Sequence, residues 1–212
     1  FALNGTQVRI EANGSVPGYV LDQFSMDEYN GYFRIATTKT TLSTSGPSQT
    51  TNNVYILDMS LNIVGKLENL ASGERIYAAR YLGNIMYLVT FRRIDPLFGI
   101  DLSEPTNPKV IGFLKIPGFS EYLHPYGDKY LIGIGPETNK YGRISGTKVS
   151  LFDISNLSDI REVSKIVLKE IASELFYDHK AFMINPSKGY FTFPVPNGIV
   201  VVRITDSELG LK

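Results

Sequence analysis

The chain holds two histidines, His124 and His179, and they fall in one repeated frame. Aligning internal repeats puts Tyr77, Tyr122 and Tyr177 in register, with Asp22 at the matching place in the first repeat. Two residues on, His124 matches His179, while Phe24 and Ala79 fill the other two sites and Arg80 lies one further. The candidate ligand-binding residues are therefore His124, His179, Asp178, Arg80, Tyr122 and Tyr177. Imidazoles beside a guanidinium suit an anion, and Asp178 joining both imidazoles would make a metal-ligand set. The competing reading is that each histidine caps the end of a strand and bonds a neighbouring repeat. Two histidines 55 residues apart make a weak motif, so no metal, cofactor or catalytic residue is assigned from them.

Other carboxylates recur. Asp58, Asp101 and Asp153 each close a strand-like phrase just before a turn. In that position Asp side chains bond nearby backbone N–H groups, which makes a structural role the expectation rather than acid catalysis. Asp101 to Pro108 lacks the alternating oxygens and central glycine of a calcium-binding EF-hand loop. No nucleophile elbow, phosphate-cradling glycine loop or zinc-protease helix is present. Asn4-Gly5-Thr6, Asn13-Gly14-Ser15 and Asn156-Leu157-Ser158 fit the N-glycosylation acceptor pattern.

The elements that must position these residues repeat as well. Val54-Tyr55-Ile56-Leu57-Asp58, Leu97-Phe98-Gly99-Ile100-Asp101, Val149-Ser150-Leu151-Phe152-Asp153 and Ile199-Val200-Val201-Val202-Arg203 are versions of one phrase, spaced by 43, 52 and 50 residues. A period of about 40–50 residues made of short strands reads as a β-propeller built from four-stranded antiparallel blades. The clearest unit runs Arg75 to Leu82, Ile85 to Phe91, Leu97 to Leu102 and Lys109 to Ile116, with Gly83-Asn84 and Ser103 to Pro108 as turns. A second runs Tyr122 to Tyr126, Lys129 to Gly135, Lys148 to Ile154 and Arg161 to Lys169. The first blade offers Leu21 to Tyr29, Tyr32 to Thr38, Asn53 to Met59 and Ile63 to Leu67. Its turn, Asn30-Gly31, is a strong hairpin former. The last offers Glu174 to Asn185, Gly189 to Val195 and Ile199 to Thr205, and no outer strand is expected after it.

The blades thus span about 16–70, 71–116, 117–170 and 171–212, with residues 6–11 as an extra outer strand. Either that strand completes the last blade and closes a ring, or it belongs to a preceding blade of a larger propeller. A β-sandwich with accidental periodicity is the remaining possibility. Only Glu162 to Leu175 invites a helical reading, and it fits a strand as well. The connections Lys39 to Asn52 and Pro136 to Thr147 are long, and Arg92 to Pro96 is short. Long connections on one face are candidates for recognition, or insertions without a role.

Composition narrows the partners. The formal net charge is zero, from 21 basic and 21 acidic residues, which argues against general nucleic-acid binding. No apolar run approaches the roughly 18 residues needed to span a bilayer. Cysteine is absent, so disulfides and thiolate metal sites are excluded. Phe1 stands first with no visible signal segment, as expected of a mature product or part of a longer protein.

Several phrases carry a family likeness: Gly73-Glu74-Arg75-Ile76-Tyr77, Val89-Thr90-Phe91-Arg92, Asp101-Leu102-Ser103-Glu104-Pro105-Thr106-Asn107-Pro108 and Ile116-Pro117-Gly118-Phe119-Ser120-Glu121-Tyr122-Leu123-His124-Pro125-Tyr126. The chain resembles, from about Val20 to Val195, secreted archaeal and bacterial proteins with a C-terminal β-propeller domain distantly related to WD repeats. The resemblance implies a longer parent propeller, an extracytoplasmic location, and cell-surface attachment or partner binding. It transfers no catalytic residues.

The expected function is a non-catalytic extracellular or cell-surface scaffold that binds a protein or glycan on one propeller face. The rival is a polysaccharide hydrolase or lyase at the channel mouth, with Asp22, Glu121, Glu174 and Asp178 as candidate carboxylates beside the histidines. An incomplete ring would also favour self-association or pairing with the missing blades.

Overall fold

The computed structural model describes all residues except 43–45, 47, 92–94, 117 and 139–142. The chain is all-β in architecture, and four antiparallel sheets of four strands follow one another along it. A two-stranded hairpin precedes them, β1 (Ala2–Asn4) and β2 (Gln7–Arg9). The first sheet comprises β3 (Met26–Tyr29), β4 (Tyr32–Thr41), β5 (Gln49–Leu57) and β6 (Ile63–Leu70). The second holds β7 (Arg75–Leu82), β8 (Ile85–Phe91), β9 (Asp95–Asp101) and β10 (Lys109–Ile116). The third holds β11 (Tyr122–Tyr126), β12 (Tyr130–Thr138), β13 (Ile144–Asp153) and β14 (Arg161–Leu168). A short helix, α1 (Ser173–Tyr177), leads to the fourth, β15 (Met183–Asn185), β16 (Tyr190–Val195), β17 (Gly198–Thr205) and β18 (Glu208–Leu211). Each sheet is a meander in which successive strands pair, and none closes on itself.

Local chemistry explains the hairpins. Asn30 and Gly31 both adopt positive φ, 52° and 78°, so the turn between β3 and β4 matches the right-handed twist of its strands. Period-two alternation then sends side chains to opposite faces. On β8, Met86 and Leu88 join Ala36, Val54 and Ile56 of the first sheet. Tyr87 and Val89 point the other way and meet Leu131 and Phe152 of the third sheet. Ile132, Ile134, Val149 and Leu151 pack on Phe191, Phe193 and Val202 of the fourth. The middle strands of the second and third sheets therefore read as largely apolar, because a sheet lies on each side. The remaining face of the first sheet is different: Ile35, Tyr55 and Leu57 are covered by Val16, Val20 and Leu61.

Successive sheets also lock at their outer strands. The place of Gly65 in β6 brings Pro105, in the β9–β10 turn, so close that an added Cβ would stand 1.9 Å from its carbonyl oxygen. Gly112 in β10 meets Leu157, after β13, in the same way at 2.1 Å. The matching residue of β14 is Ser164, whose Oγ accepts a hydrogen bond from Leu209 N of β18 at 3.0 Å.

Five expectations need correction. Residues 6–11 do not complete the last sheet, because β2 pairs with β1. The fourth sheet has its own outer strand, β18, reached by a two-residue turn in which Asp206 takes a φ of 55°. Glu174 to Asn185 is not one strand: α1 and a 3-10 turn at His179–Ala181 precede the three residues of β15. Here Ala172, Leu175 and Phe176 recur at helical spacing and pack into the third and fourth sheets' core, while Thr147 Oγ1 accepts from Ala172 N. Similarly, Leu21 to Tyr29 begins with a 3-10 turn at Gln23–Ser25, where Asp22 accepts from the backbone N–H of Phe24 and Ser25. The two long connections begin and end as strand, since β4 and β5 pair out to Thr41–Gln49 and β12 and β13 out to Thr138–Ile144. Residues at their tips, and the Arg92-Arg93 turn, lie outside the described residues. Among the described residues no helix is long and apolar enough to cross a membrane.

Candidate functional site

The innermost strands of the sheets begin at one end of the molecule, and a cleft of about 450 Å³ opens there. All four sheets contribute. Tyr19, Leu21 and Asp22 come from the segment entering the first sheet, and Arg75 and Tyr77 open β7. Glu121 immediately precedes β11, and Phe176, Tyr177 and His179 come from the α1 region ahead of β15. The paired extensions of β4–β5 and β12–β13 rise from the same end, because Tyr19 bridges to Thr38 and Tyr122 pairs with Ile134.

Asp22 is the pivot. Its Oδ1 accepts from Phe24 N at 2.9 Å and Ser25 N at 3.2 Å, and its Oδ2 lies 3.5 Å from His179 Nε2. Behind it Phe24 is wedged between His179, at 4.8 Å between ring centroids, and Arg80, whose guanidinium carbon sits 3.7 Å from the ring centroid. Arg80 also donates to Leu123 O at 2.8 Å. Burial lowers its pKa, opposed by the nearby Tyr122 and Asp22. Tyr122 stacks on His179 at 5.3 Å, and its hydroxyl is 2.9 Å from His124 Nδ1.

At the rim, Arg75 covers the Tyr77 ring at 4.8 Å and donates to its hydroxyl at 2.9 Å. Burial raises the Glu121 carboxyl above its ordinary range, with Arg75 acting in the opposite sense. Tyr177 stands almost fully in solvent, 91% exposed.

Of the six residues singled out by sequence, Tyr177 and His179 line the cleft, whereas Arg80, Tyr122 and His124 form the packed layer behind it. Asp178 accepts from Lys180 N and caps the 3-10 turn. His124 and His179 are not equivalent in space, since His124 is in β11 and His179 in that turn. Among the described residues no group of three His, Asp or Glu side chains is placed to hold a metal ion. Asp22 and Glu121, noted for acid–base work, do share the cleft, and Tyr19, Arg75 and Phe176 join them without any motif to announce them.

The repeated aspartates have a different task. Asp58 accepts from Ser60 N and Asn62 N, Asp101 from Ser103 N, and Asp153 from Ser155 N and Oγ. These bonds hold all three carboxyls below the usual range, led by Asn62 for Asp58, Ser103 for Asp101 and Ser155 for Asp153.

His124 yields a pH prediction. Burial first, and the Arg80 charge second, hold its pKa down to about 4 from an ordinary 6.5. The unfolded chain binds a proton at higher pH than the folded one. The contribution of neutral His124 to stability is therefore complete above about pH 6.5 and is lost as pH falls toward about 4. Urea midpoints measured across that window are expected to fall less steeply for His124→Gln than for the wild type. Parallel curves would contradict the assignment.

Comparison with known proteins fits this architecture. A family model described as a beta propeller domain matches residues 1–209. An uncharacterized protein of Methanocaldococcus jannaschii is 46% identical over 199 residues, covering 94% of this chain and 31% of the relative. An uncharacterized protein of Archaeoglobus fulgidus is 43% identical over 206 residues, covering 97% of this chain and 30% of the relative. The chain thus spans a little under a third of the length of these relatives. With its serial four-stranded sheets and this match along nearly its whole length, the chain belongs to the beta propeller domain family.

Proposed function

We propose that the chain is a run of blades from a larger, extracytoplasmic propeller that binds a ligand, without turning it over, at the inner-edge cleft. The observation that carries this is convergence: residues from the leading edges of all four sheets line one opening, flanked by two extended hairpins. Rigid strands presenting side chains at a shared end are a common way to build a recognition surface. The extracytoplasmic placement is supported by the likeness to secreted proteins.

Two features support the larger ring. The hairpin β1–β2 copies the outer pair β17–β18, with a two-residue turn in each. In the chain it comes just before the first sheet, in the order that the outer half of a preceding blade would take. The first sheet's apolar face at Ile35, Tyr55 and Leu57 is the surface against which that blade would pack, the segment at Val16 and Val20 being its lead-in. The relatives' greater length supplies the necessary chain.

The second reading is a polysaccharide hydrolase or lyase. It is favoured by Asp22 and Glu121 sharing the cleft while burial raises the Glu121 carboxyl, as a general acid requires. Against it, both oxygens of Asp22 already serve Phe24, Ser25 and His179.

Hydrogen exchange of the protein with purified envelope polysaccharide and envelope protein fractions separates these readings. Binding is expected to slow exchange at residues 19–22, 75–77 and 121–124, and not at the opposite turns near Gly83 and Gly127. Protection confined to those turns, or release of new sugar ends, would overturn non-catalytic binding at the cleft. Labelling of the protein by an impermeant amine reagent on intact cells tests the location.

A further inference from the structure

Resting on the cleft as the binding site, we infer that its ligand is an electrically neutral, hydroxyl-rich oligosaccharide. Both signs of charge stand in the cleft. Asp22 and Glu121 share about 450 Å³ with Arg75, and His179 Nε2 lies 3.5 Å from Asp22 Oδ2. An anion would face two carboxylates and a cation would face Arg75. Sugar hydroxyls, which both donate and accept, can use carboxylate and guanidinium alike.

The aromatic rim makes the second part of the case. Arg75 already covers Tyr77, but Tyr177 is 91% exposed and Tyr19 53%. An exposed tyrosine at a binding cleft is a large, rigid, amphipathic platform with few torsions to immobilise. The apolar C–H face of a pyranose fits that ring, and its edge hydroxyls then reach the carboxylates. The cleft's size lies within the range of about 300–1,000 Å³ usual for small-ligand sites.

The test uses calorimetry and tyrosine fluorescence with hexasaccharides of three kinds. The neutral set is cellohexaose, maltohexaose, mannohexaose and N-acetylchitohexaose. Galacturonate hexamer is the acidic probe and glucosamine hexamer the basic one. At least one neutral probe is expected to bind, with charged probes about tenfold weaker or worse. Tyr177→Ala should weaken that binding about tenfold, and Tyr177→Phe should retain it. The exposure of Tyr177 leaves the fold out of the comparison. Failure of every neutral probe, or preference for a charged one, overturns the ligand class. Where a charged sugar or a peptide binds instead and Tyr177→Ala abolishes it, the cleft assignment survives. Neutral binding untouched by both Tyr177→Ala and Glu121→Gln overturns the cleft itself.

Discussion

Gly112→Ala is expected to destabilise the chain by about 3 kcal/mol, far more than one added methyl costs on an open strand. The new Cβ would stand 2.1 Å from Leu157 O and 3.2 Å from the Cα of Ser158. Both are backbone atoms, so no side-chain rotation relieves the overlap, and the second and third sheets must separate locally. Gly65→Ala should behave alike, with 1.9 Å to Pro105 O between the first and second sheets. Ser164→Ala, at the corresponding place against the fourth sheet, removes a hydrogen bond to Leu209 N instead of creating a clash. It should cost only about 1 kcal/mol. Urea unfolding of the three variants gives the ordering. A Gly112→Ala loss no larger than that of Ser164→Ala would mean that the sheets are not locked at their outer strands.

This locking shows what was legible beforehand. Arg75–Leu82, Ile85–Phe91, Lys109–Ile116 and Tyr122–Tyr126 are strands with the bounds read from sequence. Lys109–Ile116 alternates and Ile85–Phe91 is a short, almost wholly apolar run, and turn residues such as Gly83-Asn84 and Gly127-Asp128 mark the ends. Glu174 to Asn185 reads as strand from sequence because its apolar residues fit either period, and what fixes α1 is remote: Thr147, 25 residues earlier, accepts from Ala172 N. The strand β18 has four residues, Glu208-Leu209-Gly210-Leu211, too few for their alternation to distinguish it from a tail. Asp22, Glu121, Tyr177 and His179 could be singled out as chemistry-bearing residues. Their grouping could not, because it depends on how the leading edges of separate sheets converge. Arg80 shows the reverse case. Its charge suggested a ligand contact, yet its ring contact with Phe24 and bond to Leu123 O place it in the packing beneath.

The other large effect concerns Arg34, a cation held at the seam of the first two sheets with its side chain 3% exposed. Its Nε and Nη2 donate to Asp27 Oδ1 at 2.8 and 2.5 Å, and its Nη1 donates to Gly83 O at 2.7 Å. The guanidinium lies between the rings of Tyr29 and Tyr81, at 4.8 and 4.9 Å from their centroids. Burial raises the Tyr81 hydroxyl pKa strongly, with Arg34 acting in the opposite sense. The cation thus fills a space between rings and satisfies groups on both sheets. Arg34→Ala leaves the Asp27 carboxylate, only 26% exposed, without its partner and empties the gap between the rings. A loss of about 3–5 kcal/mol is expected. Arg34→Lys should recover only part of it, because an ammonium lacks the planar fork that reaches both Asp27 and Gly83. In the Arg34→Ala/Asp27→Ala pair the two losses should be strongly sub-additive, since the second change removes the stranded charge. Additive losses, or an Arg34→Ala cost below about 1 kcal/mol, would place Arg34 among ordinary surface ion pairs. The seam between the first two sheets would then be held by its apolar contacts and by bonds such as Ile76 N to Thr38 Oγ1.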